Sequence, residues 1–266
     1  MKDYNYTTIK NCLKHIPILP WGSHEPHGEH LPYTTDSILA EAVANAVSEK
    51  ANEKYANYKY GNARGLFDDI FYLLPTMSLG SQNVSQVVNY ELCLHFNTET
   101  QKSVLENITD SLLRQGIETL FIINGHNGNA LKGIIRDVMV KYPYFKIYLC
   151  NYLDVVDKHR DELKNEDVIK YNLDEHAGYT ETSLMLYVNP DLVNLENLPV
   201  NENPGLPKSS GEFWTPSDWK KRSVNTRVGT VGMASVCVGE KMFEFVTDKL
   251  SDEIVEIVRN EEQNGC

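Results

Sequence analysis

The sequence predicts an α/β fold, a three-layer α/β/α sandwich built on a mostly parallel central sheet. Three observations predict it. Short apolar runs alternate with segments of helical spacing along the chain, the pattern of a parallel sheet covered on both faces. Clusters of polar residues follow the strand-like runs, and in such sheets the working loops lie beyond the carboxyl ends of the strands. No internal repeat and no composition break interrupts the 266 residues, so one domain over 1–266 is expected.

Taken in order, Ile16 to Trp21 is a short apolar run feeding a Gly/His/Pro-rich loop. From Ser37 to about Lys54, Ile38, Leu39, Ala42, Val43, Ala46 and Val47 recur at helical spacing. Ile70 to Leu74 is a strand candidate stopped by Pro75. Thr98 to Arg114 reads as a helix opened by a capping box of Thr98 and Gln101 and closed near Gly116. Thr119 to Ile123 is a buried strand leading through Asn124 to Asn129 into a helix that ends near Lys141. Phe145 to Cys150 is a further strand, Ala177 to Val188 a helix, and Gly239 to Glu262 a long amphipathic helix. Residues 201–229, rich in Pro, Ser, Gly and Trp, read as a long loop of the kind that is usually functional or disordered.

Composition narrows the function classes. A net charge of -12 argues against nucleic-acid binding, which needs a basic footprint. It leaves anionic small molecules open, because local groups override global charge. Cys12, Cys93, Cys150, Cys237 and Cys266 are odd in number and contain no CxxC pair, so free thiols are expected. The first residues lack an apolar signal region and no run is long enough to span a membrane, which reads as a cytoplasmic protein with no membrane partner.

Three clusters carry chemistry. The first, PWGSHEPHGEHLPYTTD from Pro20 to Asp36, packs Glu25, His27, Glu29, His30 and Asp36 behind a strand. Imidazole and carboxylate are ligands that Zn²⁺, Mn²⁺ and Fe²⁺ share, and in an extended segment Glu25 and His27 point to one side. Asp36 equally suits a helix N-cap, and His24 and His30 suit exposed loop positions. The second, NGHNGN from Asn124 to Asn129, is a turn whose glycines permit positive φ and which aims His126 outward at a strand end; an incidental turn histidine fits as well, whereas an anion-cradling helix start is disfavoured because the spacing is neither a P-loop nor a dinucleotide fingerprint. The third, DEHAGYTETS from Asp174 to Ser183, offers His176 as a ligand or general acid/base, with Asp174 or Glu175 to orient it. Glu181 shares a site with His176 only if the helix starts after the histidine, near Ala177 or Gly178. Otherwise Glu181 is a solvated helix residue and Asp174 a cap.

In this order the three clusters resemble the creatininase family over about Ile16 to Glu244. The resemblance rests on Gly22, Ser23, Glu25, His27, Gly28, His30, Leu31, Pro32, Thr35 and Asp36; on Asn124, Gly125, His126 and Asn129; and on His176, Gly178, Glu181, Thr182 and Ser183. It implies two divalent metal ions per subunit (Zn, Mn or Fe), one held by Glu25, Asp36 and His126, the other by His27 and the shared Asp36. It implies a metal-dependent amidohydrolase that cleaves a C–N bond of a small cyclic amide or formamide through a metal-bridging hydroxide. His176 matches the family's catalytic histidine, with Glu175 to orient it. Ser81, in a Gly-Ser-Gln stretch, resembles a substrate-contacting serine, and Asn127 takes the place of a substrate-side aromatic residue. The resemblance also implies a homo-oligomer, hexamers being frequent in the family. Trp214 and Trp219 would then serve a subunit contact or a cover over the site.

Departures locate the novelty. The family's namesake carries a glutamate ligand where this chain has Gly128, so the second ion lacks a carboxylate. Glu181 is the expected replacement, with Glu29 and Glu175 as competitors. The tryptophan expected shortly before the catalytic histidine has no counterpart in Tyr171 to Leu173, and the mid-chain Phe-Pro-Gly-Thr motif is absent. An intact metal centre in a changed substrate pocket is the expectation, with creatinine itself a doubtful substrate. The competing reading is a catalytically silent, metal-stabilised module that binds a ligand or partner.

Overall fold

The computed structural model describes residues 5–10, 12, 14–61, 69–165, 174–198, 215–216, 219–223 and 225–264. The strands are β1 (Ile16–Trp21), β2 (Phe71–Leu73), β3 (Thr119–Asn124), β4 (Lys146–Asn151), β5 (Asp174–His176) and β6 (Val228–Gly229). The helices are α1 (Tyr6–Lys10), α2 (Thr35–Tyr60), α3 (Val84–Asn89), α4 (Thr98–Arg114), α5 (Leu131–Lys141), α6 (Tyr152–Lys158), α7 (Arg160–Asn165), α8 (Tyr179–Val188), α9 (Trp219–Arg222) and α10 (Val236–Asn264).

The central sheet is parallel throughout, in the order β2-β1-β3-β4. Its strands bury both faces, and alternate residues serve opposite layers. Ile16, Ile18, Phe121 and Ile123 join the core beneath α2, α8 and α10. Leu19, Trp21, Leu120 and Ile122 join the core beneath α4 and α5. That is the three-layer sandwich, and the continuous apolar runs of β1 and β3 are what two covered faces require. The chain moves from β1 to one neighbour, β2, and later returns on its other side as β3. The point where the order reverses lies at the carboxyl ends of β1 and β3, where such sheets bind ligands.

Several boundaries differ from expectation for local reasons. Helix α2 runs on to Tyr60 because Tyr55 and Ala56 continue the buried stripe, and it stops at Gly61 with φ 57°. Its flanking residue is Thr34, so Asp36 sits inside the first turn and its side chain is not a cap. Helix α4 is capped by Asn97, whose side chain accepts from Thr100 N. The expected capping box fails because Gln101 is buried and donates instead to Ser81 Oγ and the Phe96 carbonyl. The expected loop 201–229 lies partly outside the described residues. Its described part holds α9 and β6, which pairs antiparallel with β5 so that Val228 lies opposite His176.

Helix α8 is held close to α10 by Gly239. A Cβ there would lie 2.6 Å from the Ser183 carbonyl carbon, a separation real side chains do not adopt. Only a glycine on α10 lets α8, which carries Glu181 in its first turn, sit this near α10.

Candidate metal centre

The carboxyl ends of β1 and β3, the first turn of α2 and the start of α8 converge. Glu25 and His27 stand on the loop after β1, Asp36 in α2, His126 in the turn after β3, His176 at the end of β5 and Glu181 in α8. All six side chains are buried. Their polar atoms form two groups that share Asp36. Asp36 Oδ1 lies 3.0 Å from His27 Nε2, and Glu181 Oε1 lies 3.9 Å from the same nitrogen. Asp36 Oδ2 lies 3.1 Å from His126 Nδ1, which is also 3.0 Å from Glu25 Oε1. Within Glu25–Asp36–His126, and again within His27–Asp36–Glu181, one ligand atom from each residue lies within 4.8 Å of the others. Glu25, His27 and His176 form a third such group.

Glycines make the convergence possible through close approach. A Cβ on Gly125 would lie 2.6 Å from the Asp36 carbonyl oxygen, so only glycine lets the turn reach α2. A Cβ on Gly128 would lie 2.7 Å from Ser81 O and strike the His126 ring. The positive φ expected of this turn is absent, since neither glycine is among the residues with φ above zero. Helix α8 begins at Tyr179, after His176, with Gly178 as its flanking residue. This late start turns Glu181 toward the site.

The histidines are pinned from behind. His126 Nε2 lies 2.7 Å from the Ser81 carbonyl, His27 Nδ1 2.9 Å from the Glu25 carbonyl, and His176 Nε2 2.9 Å from the Pro26 carbonyl. A carbonyl only accepts, so each of these nitrogens carries the proton. The opposite nitrogen then faces the carboxylates, as in ligating histidines, where the second ring nitrogen is held by an outer partner. The carboxylates are held likewise. Ser23 Oγ donates to Asp36 Oδ2 at 2.7 Å, Ala177 N to Glu181 Oε2 at 2.5 Å, and Gln86 Nε2 to Glu25 Oε2.

Charge follows geometry. Burial opposes a charged His27, but the Asp36 carboxylate, with Glu181 and Glu25 beyond, raises its pKa to about 10. His126 is pushed well above its ordinary value against the same burial cost, by Glu25 and Asp36. Burial would raise Asp36, yet His27 and His126 hold it well below the usual carboxylate range. Glu25 is lowered too, His126 and His176 outweighing burial. Glu181 is raised, because burial outweighs His27 and His176. The buried carboxylates thus draw positive charge into the site. Three carboxylates and imidazole nitrogens turned inward are a donor set fit for divalent ions.

The remaining sequence candidates separate. Glu29 is exposed and accepts from Asn225 Nδ2, so it is no rival to Glu181. The side chain of Glu175 lies outside the described residues; the partner seen on His176 is the Pro26 carbonyl. Ser81 contributes its carbonyl to His126, while its hydroxyl is engaged by Phe96 O and Gln101. Asn127 is exposed at the tip of the turn. His30 is buried, not exposed: its Nε2 meets Thr182 Oγ1 at 2.9 Å, and burial with the nearby Arg227 lowers its pKa to about 4. It therefore ties the first cluster to the third as a neutral ring. Sequence reasoning missed Gln86, a lone glutamine with no motif around it. Trp219 lies edge-on to the His176 ring with centroids 5.2 Å apart, which favours its reading as a cover over the site.

The profile of the creatininase family, described as creatinine amidohydrolase, matches residues 2–254. The chain belongs to the creatininase family. Among relatives of this creatininase-family chain, creatinine amidohydrolase of Pseudomonas putida is 26% identical over 253 residues, 91% of this chain and 89% of that one. The mycofactocin precursor peptide peptidase of Mycobacterium ulcerans (strain Agy99) is 26% identical over 183 residues, 68% of this chain and 61% of the peptidase's length. The structure of a Bacteroides fragilis NCTC 9343 protein assigned as a creatinine amidohydrolase superposes with TM-score 0.76 at 32% identity, covering 93% of this chain and 91% of that one. Creatininase itself has been solved in a Zn-Zn form (a variant; TM-score 0.69, 22% identity, 94% and 92% covered) and in an Mn form (TM-score 0.70, 21% identity, 94% and 92% covered), which share the fold. The family description and these relatives are hydrolases by name, and this chain's own donor groups are those set out above. No described helix is long and apolar enough to cross a membrane.

Proposed function

We propose that this protein is a metal-dependent hydrolase that cleaves the C–N bond of a small cyclic amide or formamide. The observation that carries the reading is Asp36, whose two oxygens each face the histidine of a different buried donor group. Glu25, Asp36 and His126 would hold one divalent ion, and His27, Asp36 and Glu181 a second, of Zn, Mn or Fe. Glu181 thereby takes up the carboxylate position left vacant at Gly128. Ions so held supply an activated water and polarise a carbonyl oxygen.

The chain's own groups do the rest. His176 donates from Nε2 to the Pro26 carbonyl, so Nδ1 is the nitrogen left to exchange a proton. That nitrogen lies 3.8 Å from Glu25 Oε1, at the edge of the donor cluster. There it can protonate the departing nitrogen, a transfer typically worth ~10²–10⁴-fold. Trp219 packs edge-on against the same ring and would cover it. Asn127, exposed at the tip of the turn, and Ser81, once its hydroxyl leaves Phe96 O, would serve as substrate contacts. The reading extends to a cytoplasmic homo-oligomer, in keeping with the free thiols among the described cysteines.

The test is turnover by protein reconstituted with Zn²⁺ or Mn²⁺, against cyclic amides including creatinine, formamides and short peptides. Hydrolysis confined to the first two classes supports the reading. Cleavage of peptides alone moves the activity to the peptidase relatives' side, and ligand binding without turnover favours a silent module.

A further inference from the structure

Tyr152 opens α6 directly after β4, and the pairing of Asn124 with Asn151 sets it beside the turn that carries His126. Its ring edge and the first turn of α2 close on Gly125 from two sides. A Cβ on that glycine would lie 3.3 Å from Tyr152 Cε1 and 2.6 Å from the Asp36 carbonyl oxygen. The side chain is 1% exposed. Its hydroxyl is buried and meets no hydrogen-bond partner among the described residues. Burial, and then the charges of Glu181 and Asp36, hold the phenol proton well above its usual pKa. The group is therefore a neutral donor buried beside the turn that carries His126.

A phenylalanine would fill this space without stranding a donor. A buried hydroxyl left unpaired costs the folded state, whereas apolar replacement at constant shape is neutral or stabilising. Each such group in a structure calls for a partner. No described group is a hydrogen-bond partner of the hydroxyl, so the missing partner is an acceptor that arrives from outside. We propose that the Tyr152 hydroxyl donates to an oxygen of the ligand seated beside Asp36 and Glu181. In hydrolysis that oxygen is the one on which an amide carbonyl gathers negative charge, where a fixed neutral donor in a dry site is most effective. This rests on the hydrolase reading and adds to it a residue that contacts the ligand.

The test compares wild type with Tyr152→Phe, using Zn²⁺ and then acetohydroxamate, a small amide-like oxygen donor, as the probes. The variant should take up Zn²⁺ as wild type does and, metal-free, melt at the same or a higher temperature. Its acetohydroxamate affinity in the Zn²⁺-loaded state should fall at least about tenfold, the lower end of the range for a hydrogen bond to a charged group. A ¹⁹F resonance from 3-fluorotyrosine at position 152 should move when acetohydroxamate is added, a reading that does not depend on the stability of the Phe variant. Unchanged affinity with a still resonance overturns the proposal. A lower melting temperature in the metal-free variant also overturns it, because the hydroxyl would then be bonded in the resting fold. Failure of wild type to take up Zn²⁺ sinks the metallohydrolase reading beneath it, whereas uptake with no acetohydroxamate effect sinks Tyr152 alone.

Discussion

His27 and Asp36 meet end to end, with imidazole Nε2 3.0 Å from carboxylate Oδ1 and both side chains buried. In the metal-free protein the contact is a charged pair, since His27 is held at about 10. A cation bound there must displace the proton, because metals take the neutral imidazole. Zn²⁺ uptake near pH 7.5 should therefore release at least one proton per subunit, seen as a buffer-dependent binding enthalpy in calorimetry. The folded pKa lies above the ordinary 6.5, so this pair's stabilisation is full below pH 6.5 and is lost as pH rises through about 10. The metal-free protein should lose stability across that window, and the Zn²⁺-loaded protein should not. Uptake with no proton release would contradict the assignment of His27.

Glu181→Gln should weaken one ion and spare the other. Glu181 lies with His27 and Asp36 and takes no part in the Glu25–Asp36–His126 group. Metal analysis after dialysis should fall from two ions toward one. Retention of two tight ions would return the missing ligand to another residue.

His176→Ala should keep the fold and lose turnover by about 10²–10⁴-fold. His176 also approaches Glu25 and His27 closely enough to be a ligand. Metal content decides between the two: a variant that loses an ion makes His176 a ligand, and one that turns over at the wild-type rate makes it structural.

Gly128→Ala should damage the metal centre from behind. The added methyl would meet Ser81 O at 2.7 Å and strike the ring of His126, parting the hydrogen bond that orients it. Overpacking of this kind costs about 1–3 kcal/mol. The denaturation midpoint should drop, and the Glu25–Asp36–His126 group should bind its ion less tightly. The same crowding argues that a glutamate cannot simply be restored at this position.

Gly239→Ala tests how α8 is placed. Its Cβ would press on the Ser183 backbone, so α8 must shift away from α10. A loss of about 1–3 kcal/mol is expected. The ion bound with Glu181 should weaken as well, although position 239 lies outside the donor groups. Unaltered metal affinity would mean that α8 is held by other contacts.

Much of this could be read before any coordinates. The apolar runs of β1 and β3 and the helical spacing of α2, α4 and α5 are local signals of burial, and burial on both strand faces leaves little choice but a covered parallel sheet. Glu25, His27, Asp36 and His126 announced themselves because ligand chemistry is written in residue type and spacing. What only the tertiary structure decided was which distant groups meet. Glu181 faces His27 because α8 starts after His176 and Gly239 lets it close on α10, a matter of helix phase and approach that spacing alone left even. Gln86 on Glu25, the Pro26 carbonyl on His176 and Thr182 on buried His30 join segments 61, 150 and 152 residues apart. No local pattern encodes such pairs, since a hydrogen bond to a carbonyl or a lone amide leaves no mark on residue type. The ligand types belong to the sequence, whereas their shared geometry exists only once the chain ends of β1 and β3 lie side by side.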